Sequence, residues 1–164
     1  MKKRNFLIAG TGILGLAWLW RYTPWATSTL SGRAETFEVT KTEAEWRELL
    51  PAPVFKVLRQ HSTEQPGTSP LDHEFGKGTY TCAGCDLPLF TSATKFNSGT
   101  GWPSFYDPIA GAIGTADDRS MIISRTEVHC RRCGGHLGHV FADGPPPTGK
   151  RYCMNGLALK FIPA

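Results

Sequence analysis

The segment TYTCAGCDLPLF, residues 79–90, places two short β-prone runs on either side of Cys82-Ala83-Gly84-Cys85. Two cysteines separated by two residues let one backbone knuckle offer two thiolates to one cation. A single knuckle is half of a tetrahedral site. The other half lies in EVHCRRCGGHLGHVF, residues 127–141, where Cys130 and Cys133 repeat the spacing. Gly84 and the pair Gly134-Gly135 suit the tight turns that such knuckles make. Together Cys82, Cys85, Cys130 and Cys133 predict one structural zinc ion closed by four sulfurs. The 44 residues between the pairs exceed the span of a minimal zinc ribbon, so the metal is expected to pin two distant hairpins of a larger sheet. Disulfides or a redox pair compete for the same cysteines. A redox C-x-x-C usually opens a helix in a βαβ unit, and neither pair has that context.

Outward from the knuckles, the chain from Thr79 keeps one character. TYTC, LPLF, SMIIS (120–124), EVHC, HVF and LALKFI (157–162) are short β-prone segments divided by Gly, Pro and Asp. This predicts a mainly β, α+β domain of antiparallel strands, with helices confined to the N-terminal end. Thr42 followed by Glu45 forms a capping box that opens a helix through about Leu50. Pro51 and Pro53 interrupt it, and VFKVLRQH, residues 54–61, forms a second short helix. Both are expected to pack on the outside of the β domain. Residues 62–78 are turn-rich and read as a long loop.

The chain has 164 residues, enough for one compact domain with its own core and short for two. The formal net charge of +4 hints at nucleic-acid or membrane binding, but Lys2, Lys3, Arg4 and Arg21 all lie in residues 1–28, which hold no Asp or Glu. Without those four, 14 basic residues balance 14 acidic ones. No Lys/Arg stripe on the remainder supports nucleic-acid binding. Residues 1–28 read instead as an export signal or N-terminal anchor, with a basic start and an apolar run from Phe6 to Trp20. That run has the length of a signal h-region and is short for a membrane span. Cleavage near Ser28 and retention with Trp18, Trp20 and Trp25 at the membrane interface both remain open. Either outcome places the rest outside the cytoplasm, in the periplasm or on the outer face of the membrane. Lys3-Arg4-Asn5-Phe6-Leu7 also resembles a twin-arginine export signal, with Lys in the first basic place. Residues 29–39 form a linker, and residues 40–164 the folded domain.

The fifth cysteine stands alone in RYCMNG, residues 151–156. A free cysteine is often a small buried hydrophobe. Strand alternation, however, puts Arg151, Cys153 and Asn155 on one face and Met154 on the other. Arg151 can favour a thiolate and Asn155 can hydrogen-bond. His136 and His139, three apart in HLGHVFAD, add imidazoles, and a thiolate near imidazoles is equipment for nucleophilic catalysis. The same two histidines also fit extra metal ligands or surface polar groups, and His61, His73 and His129 have no assigned role. Trp102, between Gly and Pro in SGTGWPSF (98–105), fits either the core or the wall of a pocket for a small apolar group.

CAGC, FNSGTGWPSFYDPI, CRRCGGHLGHVFADGP and RYCMNGLALKFIP, in this order, resemble the methionine-R-sulfoxide reductases, the B-type enzymes with a SelR-type domain. The resemblance covers roughly residues 40–164. It implies a fold of two antiparallel sheets, a four-cysteine structural zinc, and thiol-dependent reduction of the R epimer of peptide-bound methionine sulfoxide. That is protein repair under oxidative stress. Matched position by position, Cys153 falls on the family's nucleophile and Trp102 on the aromatic that packs on the sulfoxide methyl group. His136, His139, Asp143, Arg151 and Asn155 fall on the polar shell around the substrate. The chemistry this implies has His139, helped by His136 or a water, polarise the sulfoxide oxygen while Cys153 attacks the sulfur. Methionine leaves, and Cys153 retains the oxygen as a sulfenic acid. Many members carry a resolving cysteine where this chain has Thr100. With four cysteines on zinc, no internal resolving thiol remains, which implies recycling by an external thiol such as a thioredoxin-like protein. The expected partners are oxidised methionine in proteins or peptides and that reductant, with the chain monomeric. Two other classes make different demands. A zinc-stapled binding module would have no need of Cys153, Arg151 and Asn155 together, and a general disulfide oxidoreductase would need a metal-free C-x-x-C.

Overall fold

The structure, a computed structural model, describes residues 36–120 and 124–164. The expectations for the leader, for most of the linker and for the centre of SMIIS fall outside the described residues.

Helix α1 spans Glu43–Leu49. Thr42 caps it: the Thr42 hydroxyl accepts the Glu45 N–H, and the Glu45 carboxylate accepts the Thr42 N–H at 2.7 Å. Two orphan donors of the first turn are satisfied reciprocally, as the capping box requires. Helix α2 spans Ala52–Gln60, so it begins earlier than expected and takes Pro53 into its first turn. Proline is tolerated there because a first-turn N–H has no helical acceptor to lose. Both helices do more than cover the β structure. Trp46, Phe55, Val57 and Leu58 are buried in the same apolar cluster as Tyr80, Phe90, Phe105 and Met154. Each helix carries an apolar stripe that is stable only when it is covered.

Nine strands follow among the described residues: β1 (Gly78–Cys82), β2 (Pro88–Thr91), β3 (Lys95–Phe96), β4 (Ser104–Phe105), β5 (Ile113–Asp118), β6 (Arg125–Cys130), β7 (His136–Phe141), β8 (Arg151–Met154) and β9 (Leu159–Pro163). They form two sheets, ordered β2-β1-β9 and β3-β4-β8-β7-β6-β5. Every pairing is antiparallel. β5 gave no signal in the sequence because IGTADD has no apolar alternation; it is held by continuous pairing with β6 from Ile113↔Cys130 to Asp118↔Arg125.

The two knuckles close the β1–β2 and β6–β7 turns. The sulfurs of Cys82 and Cys133 are 3.7 Å apart, and those of Cys85 and Cys130 are 3.5 Å apart. A disulfide requires about 2.05 Å, so none of these four is oxidised to another here. Four thiolates at about 2.3 Å from a central tetrahedral cation would lie about 3.8 Å from one another. All four ligand atoms lie within 4.8 Å of each other, a fit to a metal site. The left-handed residue of each knuckle follows its second cysteine. It is Asp86 (φ 58°) in the first and Gly134 (φ 67°) in the second, and each donates its N–H to the carbonyl of the knuckle's first cysteine at 2.9 Å. Gly84 serves packing instead: a Cβ there would sit 3.2 Å from Leu58 and 3.6 Å from Trp46.

The chain crosses from the larger sheet to the smaller one between Met154 and Leu159, and buried Glu64 holds that crossover. Its carboxylate accepts the N–H of Gly156 at 2.5 Å and of Leu157 at 2.9 Å. Its own N–H donates to Asn155 Oδ1 at 3.0 Å, and its carbonyl accepts Trp102 Nε1–H at 3.2 Å. Replacing Glu64 by Ala leaves two backbone donors of the crossover without their acceptor. We expect Glu64→Ala to lower the unfolding free energy by about 2–4 kcal/mol and Glu64→Gln to lower it less. Urea titration followed by circular dichroism checks this, and an unchanged midpoint for the alanine variant would contradict it.

Candidate active site

The antiparallel register of the larger sheet builds a row of reactive groups. Glu127 of β6 lies opposite His139 of β7, His139 opposite Cys153 of β8, and Cys153 opposite Ser104 of β4. Directly opposed residues share a face of the sheet. A carboxylate, an imidazole, a thiol and a hydroxyl therefore line up across four strands. Two residues along, Arg125, Phe141 and Arg151 join them on that face. The alternate residues Val140, Tyr152 and Phe105 point the other way and pack into or against the core. Close approach of β7 to β8 depends on Gly138, where any Cβ would overlap the carbonyl of Cys153.

A cavity of about 120 Å³ opens on this face, lined by Thr63, Trp102, His139, Phe141, Cys153 and Asn155. It has room for the tip of a side chain, not for a large ligand. The Cys153 sulfur is half-buried and lies 3.8 Å from the Thr100 hydroxyl. Thr100 and Ser104 are both linked to Ser98 at 2.8 Å, which makes a short hydroxyl chain behind the sulfur. Burial pushes the Cys153 thiol above its ordinary range, against the downward pull of Thr100, the Arg151 charge and Ser104. Arg151 is already engaged. Two of its nitrogens grip Asp143 at 3.0 and 2.9 Å, and its guanidinium lies 4.4 Å over the Phe141 ring. Asp143 is exposed and does not line the cavity, so its effect there runs through Arg151.

Each of the two central histidines leans on a carboxylate. His139 Nε2 is 2.7 Å from Asp118 Oδ2. Asp118 also accepts both the hydroxyl and the N–H of Ser120, and these two bonds, followed by those from His139 and from Arg125 at 2.8 Å, hold its carboxyl far below the usual range. Burial nonetheless pulls His139 below the ordinary imidazole range, outweighing the opposite effect of Asp118. His136 Nδ1 is 2.7 Å from Glu127 Oε1, and His61 Nδ1 is 3.1 Å from the same oxygen. Those two contacts hold Glu127 well below the carboxylate range, and the hydrogen bond to Glu127 raises His61. The His136 ring packs 5.4 Å from that of His139 but does not line the cavity.

Trp102 walls the cavity, with its indole N–H held by Glu64. Asn155 also reaches the cavity, but its amide is engaged by backbone: Oδ1 accepts from Glu64, and Nδ2 donates to the Leu137 carbonyl at 3.1 Å. As placed, it fixes the floor of the site. Sequence reasoning missed Asp118, Glu127, Arg125, Ser104, Thr63 and Phe141. It also left His61 without a role, although its side chain reaches Glu127. Asp118 sits in a polar strand with no periodic signal, Thr63 lies in the turn-rich loop after α2, and the others become visible only through strand register.

Comparison with known proteins gives a consistent picture. Residues 50–163 match the SelR domain family. The chain is 51% identical over 127 residues to the peptide methionine sulfoxide reductase MsrB of Agrobacterium fabrum, covering 77% of this chain and 94% of that protein. It is 53% identical over 124 residues to the protein of the same name from Methanosarcina barkeri, covering 75% and 87%. It is 52% identical over 127 residues to that of Pseudomonas putida, covering 77% and 96%.

Proposed function

We propose, from the premise that the chain belongs to the SelR-domain family of methionine sulfoxide reductases, that it reduces the R epimer of peptide-bound methionine sulfoxide with Cys153 as nucleophile. The observation that carries the mechanism is the direct opposition of His139 and Cys153 across β7 and β8, within a cavity walled by Trp102 and Phe141. The aromatic wall suits the substrate methyl group. Asp118 binds Nε2 of His139, which leaves the other ring nitrogen to donate to the sulfoxide oxygen. The Cys153 thiolate attacks the sulfoxide sulfur as the oxygen takes the imidazolium proton. The S–O bond of the substrate is lost, methionine leaves, and Cys153 becomes a sulfenic acid. Two external thiols then return Cys153 to the thiol and release water and a disulfide. Thr100, 3.8 Å from the sulfur, has a hydroxyl and cannot resolve the intermediate itself.

Cys82, Cys85, Cys130 and Cys133 hold a structural zinc in this reading, which the sulfur geometry supports. The protein acts as a monomer. Residues 1–28 direct it out of the cytoplasm, where exposed envelope proteins supply the oxidised methionine. Finding the mature domain only in a cytosolic fraction would contradict that destination.

Three outcomes are expected. Given a peptide carrying both sulfoxide epimers and excess dithiothreitol, the protein consumes only the R epimer, and Cys153→Ser consumes neither; chromatography resolves the epimers. Loss of both epimers at equal rates would overturn the stereochemical assignment.

The pH dependence follows from the two shifts. The reacting pair is thiolate plus imidazolium, yet burial raises Cys153 and lowers His139. Below the His139 pKa the reactive fraction rises with pH as the thiolate forms. Above the Cys153 pKa it falls as the imidazolium is lost. Between them gain and loss cancel. Single-turnover kcat/KM should therefore be flat from below about 6.5 to above about 8.5, the ordinary imidazole and thiol values. A sharp optimum near neutrality would contradict it.

Elemental analysis of fresh protein should find one zinc per chain. Stripping it with a chelator at mildly acidic pH should collapse the near-ultraviolet circular dichroism, because the thiols would lose the cation that holds the two sheets together.

A further inference from the structure

A second group of potential ligands shares Glu127 with the row across the larger sheet, and no step of the proposed reduction uses all of it. His61, Glu127 and His136 offer ligand atoms that all fall within 4.8 Å of one another. Both imidazoles aim Nδ1 at a single carboxylate oxygen, at 3.1 and 2.7 Å. Around a tetrahedral cation with bonds of about 2.0–2.1 Å, such atoms would stand about 3.3 Å apart, so the His61 nitrogen would open from the carboxylate oxygen by about 0.2 Å and that of His136 by about 0.6 Å. The three residues line one cavity of about 260 Å³, which leaves space for water in a fourth position.

A further observation is the backbone at His61. This residue ends α2 in the left-handed conformation, with φ 53° and ψ 31°, where Gly or Asn is the usual choice. A Gly there would relieve the backbone; a His there places an imidazole on Glu127 instead.

We propose that His61, Glu127 and His136 form a second metal site, distinct from the four-thiol cluster, for a borderline divalent transition cation such as Zn2+ or Co2+. Two imidazoles and one carboxylate exclude the soft-metal chemistry of a thiolate site and disfavour Mg2+ or Ca2+, which take oxygen ligands. The three ligands come from α2's end, β6 and β7, so the cation would join the helical layer to the reactive sheet. Two guanidinium groups line the same cavity, and each is paired with a carboxylate: Arg125 with Asp118 at 2.8 Å and Arg119 with Asp117 at 3.3 Å.

The test uses the full chain carrying Cys153→Ser, which removes the reactive thiol as a competing ligand, with metal on the four-thiol cluster counted first by elemental analysis. Titration with Co2+ should then show one additional equivalent, with weak visible d–d bands and no sulfur-to-metal charge-transfer band. His61→Ala and Glu127→Gln should each weaken that equivalent at least about tenfold. His73→Ala, at an exposed histidine outside the cluster, should leave it unchanged. Should Glu127→Gln fail to fold, His61→Ala decides alone, because His61 is largely exposed. No additional equivalent at millimolar Co2+, equal binding by His61→Ala, or a charge-transfer band from thiolate would each overturn the proposal.

Discussion

The four-sulfur cluster is the constraint on which the rest depends. It gathers the turn of a hairpin from each sheet, β1–β2 from one and β6–β7 from the other, so that neither sheet can shift without breaking it. The closest sulfur pairs run between knuckles, Cys82 with Cys133 and Cys85 with Cys130, and not within one knuckle. A cation bound there closes a loop of some tens of residues, and such long-range closure restricts the unfolded chain most. The helices add to the same junction. Leu58 and Trp46 press on Gly84, and Leu58 comes within 3.0 Å of where a Cβ on Gly135 would be. The apolar layer and the metal knuckles are thus one structure.

Stability at that junction is transmitted to the chemistry by β7 and by the crossover from β8 to β9. β7 leaves the second knuckle and carries His136 and His139; β8 carries Cys153 beside it. Past Cys153 the chain meets the Glu64 carboxylate, which fixes Gly156 and Leu157, while the Glu64 backbone fixes Asn155 and Trp102. One buried glutamate therefore positions the aromatic wall and the floor of the cavity together. Its own carboxyl is pushed up by burial, and the two N–H donors oppose that shift.

Electrostatics in the cavity is a contest that burial wins twice. Arg151 would lower the Cys153 thiol, but its guanidinium is shared with Asp143, and desolvation of the sulfur is larger. Asp118 would raise His139, but desolvation of the ring is again larger. The resting pair is thiol and neutral imidazole. In the proposed reaction both charged forms would become favourable together only as proton transfer is coupled to attack on the polarised sulfoxide.

The sequence by itself determined the two paired-cysteine knuckles, the capped first helix, the antiparallel β class and Cys153 as the odd thiol. Each is a local signal: a fixed spacing, a side chain that satisfies its own backbone, a period of two. Arg151 and Asn155 were placed beside Cys153 by alternation along one strand. Only the tertiary structure decided what stands across from them. Simple counting outward from the second knuckle, where Cys130 bonds Gly135, would set Glu127 opposite Gly138. The irregularity between Val128 and His129 shifts the register by one, and Glu127 meets His139 instead. A single-residue shift turns every later side chain to the other face. Asp118 reached His139 in the same way, from a polar strand whose position depends wholly on its neighbour. The identity of the reactive groups is written in short motifs, while their partners are set by hydrogen-bond register between strands, which no local pattern encodes.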